Sequence, residues 1–219
     1  MSKLGHDMAP TKGTQLLSTQ QLAASYMEGA QQNYKEHGVL ESIVAFHGGP
    51  QELIVQIRRN PDQHPSDQVV SVVFMYSTVL DISHVVSVNE AWVKAFTESD
   101  PPMSREEAES IPRGWLEERV GTDPAIHTAL MVLVVDVKHP TNSAIWHYDA
   151  DTGGEILKFN LEDPDDGSMP SRIYHAYLEA KQIGPPPEGA DWETVTVVAG
   201  RADLIAGAVM GSIHPERRN

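Results

Sequence analysis

Asp136, His147, Asp149 and Lys158 are the residues of this chain whose types best suit proton transfer, and they sit within three neighbouring apolar segments. If Lys138 pairs with Ser143, the four side chains fall on one face of a three-stranded meander. A histidine set between carboxylates can act as a general base or as a weak metal site. The plainer alternative is a solvated face of a half-exposed antiparallel sheet, in which polar residues alternate with apolar ones.

Two further places carry ionisable groups in suggestive surroundings. Alternation along Val86, Val88 and Trp92 puts Glu90 on an apolar face, where burial would raise its pKa and suit it to acid–base work. Ser87 with Glu90 is equally a capping box for a short helix through Phe96. The run from Asp149 to Ile156 shares with a calcium loop its acids at positions one and three, its glycine at six and its apolar residue at eight. Gly153 at position five, Asn160 at twelve and strand-like flanks favour a hairpin turn instead. The candidate catalytic residues are therefore Glu90, His147, Asp149 and Asp136, and no cofactor-binding or metal-ligating set is expected. There is no His-Glu-x-x-His, no Gly-x-Ser-x-Gly elbow, no Walker loop and no dinucleotide fingerprint.

The elements that would position these groups follow from periodicity. Ala125 to Val137 is the longest run of core-type residues, rich in β-branched side chains that suit a strand buried on both faces, and it reads as the central strand. Ser143 to Asp149 and Glu155 to Asn160 follow it around the turn Asp151-Thr152-Gly153-Gly154 and complete the meander. The register above makes Ala144, Trp146, Tyr148, Leu157 and Phe159 its core face. Upstream, an amphipathic helix spans about Thr14 to His37, with Ser18 and Gln21 as a capping box and Gly38 as the stop. Val39 to Phe46 and Gln51 to Arg58 read as a hairpin in which Val44 faces Leu53, so that Leu40, Val44, Phe46, Leu53, Val55 and Ile57 share a face. A second helix, capped by Ser66, runs to about Ile82, and His84 to Val88 is a strand. Pro170 to Gln182 is a third helix.

The predicted fold is α+β: a mostly antiparallel sheet with a C-terminal three-stranded meander and helices packed on one face. Residues 1–13 read as a flexible tail, 14–183 as one domain, 184–191 as a Pro-rich linker and 192–219 as an appendage packed on that domain. Glu98 to Asp123 reads as a long acidic excursion. A long helix ending in His37-Gly38, a strand pair, a second helix and then Val85-Val86-Ser87-Val88-Asn89-Glu90-Ala91-Trp92 resembles a recurrent type of small uncharacterised protein from bacteria and their phages. The resemblance covers about the first 140 residues and implies no catalytic role for any of them.

Composition narrows the function classes. Across 219 residues, 31 acidic against 16 basic side chains give a net charge of −15, which argues against direct nucleic-acid or anionic-membrane binding, because phosphate contacts need clustered Lys and Arg. The absence of cysteine removes disulfides, thiolate catalysis and Cys-ligated zinc. No apolar run reaches the roughly 18 residues of a membrane span, so a soluble, cytoplasmic protein is expected. Three readings follow. The leading one is a non-enzymatic protein acting through contacts with another protein. The others are a small hydrolase or metal-assisted enzyme using Glu90 or the His147 face, and an acidic mimic of nucleic acid.

Overall fold

The computed structural model describes residues 17–48, 53–58, 64–94, 115, 118–119, 122–123, 125–184 and 212–213. Helix α1 (Thr19–His37) starts later than the expected Thr14, because the Ser18–Gln21 capping box, expected inside the helix, is its N-terminus: Ser18 accepts the Gln21 N–H, the Gln21 side chain accepts the Ser18 N–H, and Gly38 ends the helix at φ 71° as expected. Strands β1 (Ile43–His47) and β2 (Leu53–Gln56) form the hairpin. Helix α2 (Pro65–Ser77) is shorter than its valine stripe suggests. Its cap is His64, whose ring accepts the Ser66 N–H, and not Ser66 itself. Then come β3 (His84–Lys94), β4 (Ile126–Asp136), a 3-10 turn at Pro140–Asn142, β5 (Ala144–Asp149), β6 (Glu155–Asn160), helix α3 (Met169–Ile183) and a two-residue strand β7 (Ser212–Ile213).

The strands make one antiparallel sheet in the order β6-β5-β4-β3-β1-β2-β7. The α+β class, the antiparallel sheet and the β4-β5-β6 meander stand as expected. The helices, expected on one face, divide between the two. Val44, Phe46, Val55, Val85, Leu133, Val135 and Ile145 pack under α2 and α3, whereas Ala45, Val86, Val88, Leu130, Val132 and Val134 pack under Leu22, Ala23, Met27 and Ala30 of α1. The sheet is therefore the middle of three layers, which is why β4 is apolar at consecutive positions. Among the described residues no helix is long and apolar enough to cross a membrane.

Two registers differ from those expected. In the hairpin, Val44 lies opposite Val55 and Phe46 opposite Leu53, a slip of two residues that leaves every side chain on its expected face. Leu40 precedes the strand and joins the α1 cluster instead. In the meander, Val134 lies opposite Ala144 and Val132 opposite Trp146, which differs from the Lys138–Ser143 pairing by an odd number of residues. An odd slip exchanges the faces. Trp146 and Tyr148 accordingly stand with Val132 and Leu130 beneath α1. Leu157 and Phe159 are on the other side and 44% and 42% exposed. The physical cause is the β4–β5 connection: Asp136 Oδ1 accepts the Lys138 and His139 N–H groups, each at 2.9 Å, and fixes a wide turn that a simple hairpin count does not anticipate.

The expected tail (1–13), almost all of the linker and appendage, and the bulk of the acidic excursion lie outside the described residues. Of the appendage, Ser212 and Ile213 pair with Ile54 and Leu53 of β2.

Candidate functional site

A cleft opens where β1 parts from β3. The phase of the strands follows from one bond: Ile57 donates its N–H to the Ser42 carbonyl, so even-numbered residues of β1 direct their backbone groups at β2 and odd-numbered ones at β3. Ile43 lies opposite Val88, so the even-numbered residues of β3 direct theirs at β1. β1 begins at Ile43, but β3 continues to Lys94. Beyond Val88, the outward N–H and C=O groups of Glu90 and Trp92 therefore have no strand beside them among the described residues. The cleft, about 620 Å³, lies between that bare edge and the segment Val39 to Ser42.

Its lining is mostly apolar. Ala91, Met131 and Ile57 form the sheet side, while Val69 of α2 and Met169 at the start of α3 close it from the helical layer. A few polar groups converge there, the usual composition of a binding site. Gln68 is only 2% exposed, yet its amide makes one hydrogen bond, a 3.4 Å contact from Nε2 to the Arg58 carbonyl, and its oxygen has no partner among the described residues. Asn89 donates to Ser87 Oγ at 2.7 Å. Arg172 of α3 reaches Ser66 and Asp67 and ties the two helix N-termini together beside the cleft.

Glu90 is the one expected site residue that lines this cleft. β3 runs through it as a strand, so the expected alternative of a capped helix through Phe96 does not form at Glu90. Its carboxylate accepts the Leu40 N–H at 3.1 Å, bridging the gap that the departing β1 leaves. That engagement makes Glu90 a clasp between two segments.

The other three expected residues are scattered by the corrected register. Asp136 lies on the α1 side at the far end of β4, where Oδ2 is 3.9 Å from His84 Nε2. Burial pushes the His84 pKa down, against the opposing pull of Asp136. His147 and Asp149 share the opposite face. His147 is half-buried, not exposed as the expected register implied. Its Nε2 is enclosed without a hydrogen-bond partner, and burial lowers its pKa. Asp149 pairs with His127, which the sequence reading did not single out, at 3.2 Å between Oδ2 and Nδ1. Only the true register shows that diagonal contact. Asp149 Oδ1 also accepts the Asp151 and Thr152 N–H groups and the Thr152 hydroxyl, and these bonds, that from the Thr152 N–H foremost, hold its pKa below the usual carboxylate range. The calcium-like run is thus a hairpin turn whose lead carboxylate is occupied by the turn's own donors. Lys158 lies apart from His147, with its ammonium 4.2 Å over the Trp146 ring and paired to Glu155 at 2.8 Å.

Among the described residues no three His, Asp or Glu side chains are grouped to hold a metal ion. No protein-family model, curated protein or solved structure matches the chain.

Proposed function

We propose that this chain is a non-enzymatic, soluble, cytoplasmic protein that works by holding a partner protein in the cleft between β3 and α2. The observation that carries the reading is the character of the cleft: among the described residues it has mostly apolar walls, an edge of β3 with no strand beside it, amide and hydroxyl groups, one carboxylate, Glu90, engaged to the Leu40 N–H, and one imidazole, His64, engaged to the Ser66 N–H. Such a site is equipped to bury apolar surface and satisfy backbone groups. Of the expected acid–base groups, His147, Asp149 and Asp136 are absent from its lining; Glu90 does line it, together with the histidine His64, and each is bound to a backbone N–H, of Leu40 and of Ser66, which favours a structural role for both. The likeness to small bacterial and phage proteins adds no activity to this reading.

Site-specific photo-crosslinking in cells that naturally make the protein tests it. A crosslinker at Ser42 or at Ala91, both in the cleft, should capture the same protein, and one at Gln32 on the exposed side of α1 should not. Capture that does not distinguish the cleft from Gln32, or a small metabolite retained in the cleft by native mass spectrometry, would remove the reading.

A further inference from the structure

The backbone at the mouth of the cleft specifies how an occupant would bind. Glu90 and Trp92, both of which line the cleft, each turn an N–H and a C=O toward the open side of β3. Unpaired edges of this kind are templates for a further strand, and proteins commonly blunt them with a proline, a bulge or a cover. From Asn89 to Lys94 this edge has no proline and no bulge, and among the described residues no strand pairs with it beyond Val88. Segment Val39 to Ser42 leaves the line of β1 and is tied to β3 through the Glu90 side chain, by the Leu40–Glu90 bond.

We infer that the partner contributes an extended segment that adds to β3 as a strand, with a lysine or arginine next to an apolar residue. This rests on the protein-binding reading of the cleft. Residues directly opposite in paired strands share a face. Ser42, bonded to Ile57, stands opposite Asn89, so the added strand begins opposite Glu90, and its residue opposite Ala91 drops its side chain into the apolar cleft, beside Met131 and Ile57. Its neighbour opposite Glu90 stands on the other face next to that carboxylate, and among the described residues the lining holds no other carboxylate and no lysine or arginine. A net charge of −15 favours the same sign of partner at longer range. The open oxygen of Gln68 is an acceptor for a donor on the segment.

The probe is a displayed library of random linear peptides selected against the full chain. Enriched peptides should carry an adjacent basic–apolar pair. On binding, the Glu90 and Trp92 amides should gain protection from hydrogen exchange. N-methylation of the peptide nitrogens that face β3 should weaken binding about tenfold or more, because each removes a backbone hydrogen bond, and N-methylation on the other edge should not. Trp92→Pro removes an outward N–H that the β3–β4 ladder does not use, and it should lose binding that Trp92→Val retains. Should the proline variant not fold, the methylated peptides decide alone. Failure to enrich peptides, acidic enriched cores, or binding that leaves the Glu90 and Trp92 amides unprotected would overturn strand addition. If cleft-specific crosslinking to a protein nevertheless persists, the binding reading survives and only its mode is wrong.

Discussion

His147 is the residue whose environment departs furthest from its sequence reading, and its consequences are measurable. Burial without a partner favours the neutral imidazole, and His84 is buried in the same sense. A histidine whose folded pKa lies below its unfolded value near 6.5 contributes stability that is complete above that value and lost as pH falls toward the folded one. The protein should therefore weaken on the acid side of neutrality. His147→Leu should narrow the difference between urea midpoints at about pH 7.5 and about pH 5.5, since it removes one of the two groups. At neutral pH the same change should be neutral or stabilising by up to about 1 kcal/mol, because it replaces an enclosed, unpaired nitrogen. An undiminished midpoint difference in the variant would show that His147 does not contribute to the acid sensitivity. A second residue-scale expectation concerns Gly48. At φ 139° a Cβ would collide with the backbone nitrogen of Ser83, whose N–H is donated to the His47 carbonyl at 2.6 Å. Gly48→Ala should cost about 2 to 4 kcal/mol in chemical denaturation.

At the scale of elements, β4 organises the molecule. Its residues alternate between two separate cores, Leu130 beneath α1 and Leu133 beneath α2 and α3, and both are essentially fully buried. Leu130→Ala and Leu133→Ala should each cost about 2 to 5 kcal/mol. A sheet covered on one face would give one large and one small value, so unequal losses would contradict the three-layer arrangement. Leu157→Ala on the exposed edge strand β6 should stay within about 0.5 kcal/mol. The two-sided burial also explains why the meander register was not legible. Alternation fixes a register only when one face is apolar and the other polar. Beside a strand that is apolar on both faces, Ala144, Trp146 and Tyr148 find core neighbours in either phase. The β1–β2 hairpin is also apolar on both faces, with Ala45 and Ile54 opposite in face to Val44 and Val55, and its strand residues kept their faces only because the slip there was an even two residues.

For the whole molecule, a charge of −15 on 219 residues means net self-repulsion in the compact state, which salt screens. The denaturation midpoint should rise modestly between low salt and about 0.5 M sodium chloride, and a fall would show that particular ion pairs outweigh the repulsion. Much of the fold was already written in the chain. Ser18, Gln21 and Gly38 place the ends of α1 because capping chemistry is local, and the β-branched run of β4 declares a central strand because burial on both sides demands apolar residues in succession. The identity of the candidate site was not written there. Glu90 was recognisable as a carboxylate among apolar neighbours, but its bond to the Leu40 N–H spans fifty residues of sequence. The bare edge of β3 exists only because β1 begins at Ile43, and the Asp149–His127 contact exists only in the register set by the Asp136 turn. Local sequence determined which segments are helices and strands, through hydrogen-bonding ends and side-chain period. Tertiary structure decided which side chains meet, because the phase between two strands depends on a turn and on the layers above and below them, and neither is encoded at the residues that meet.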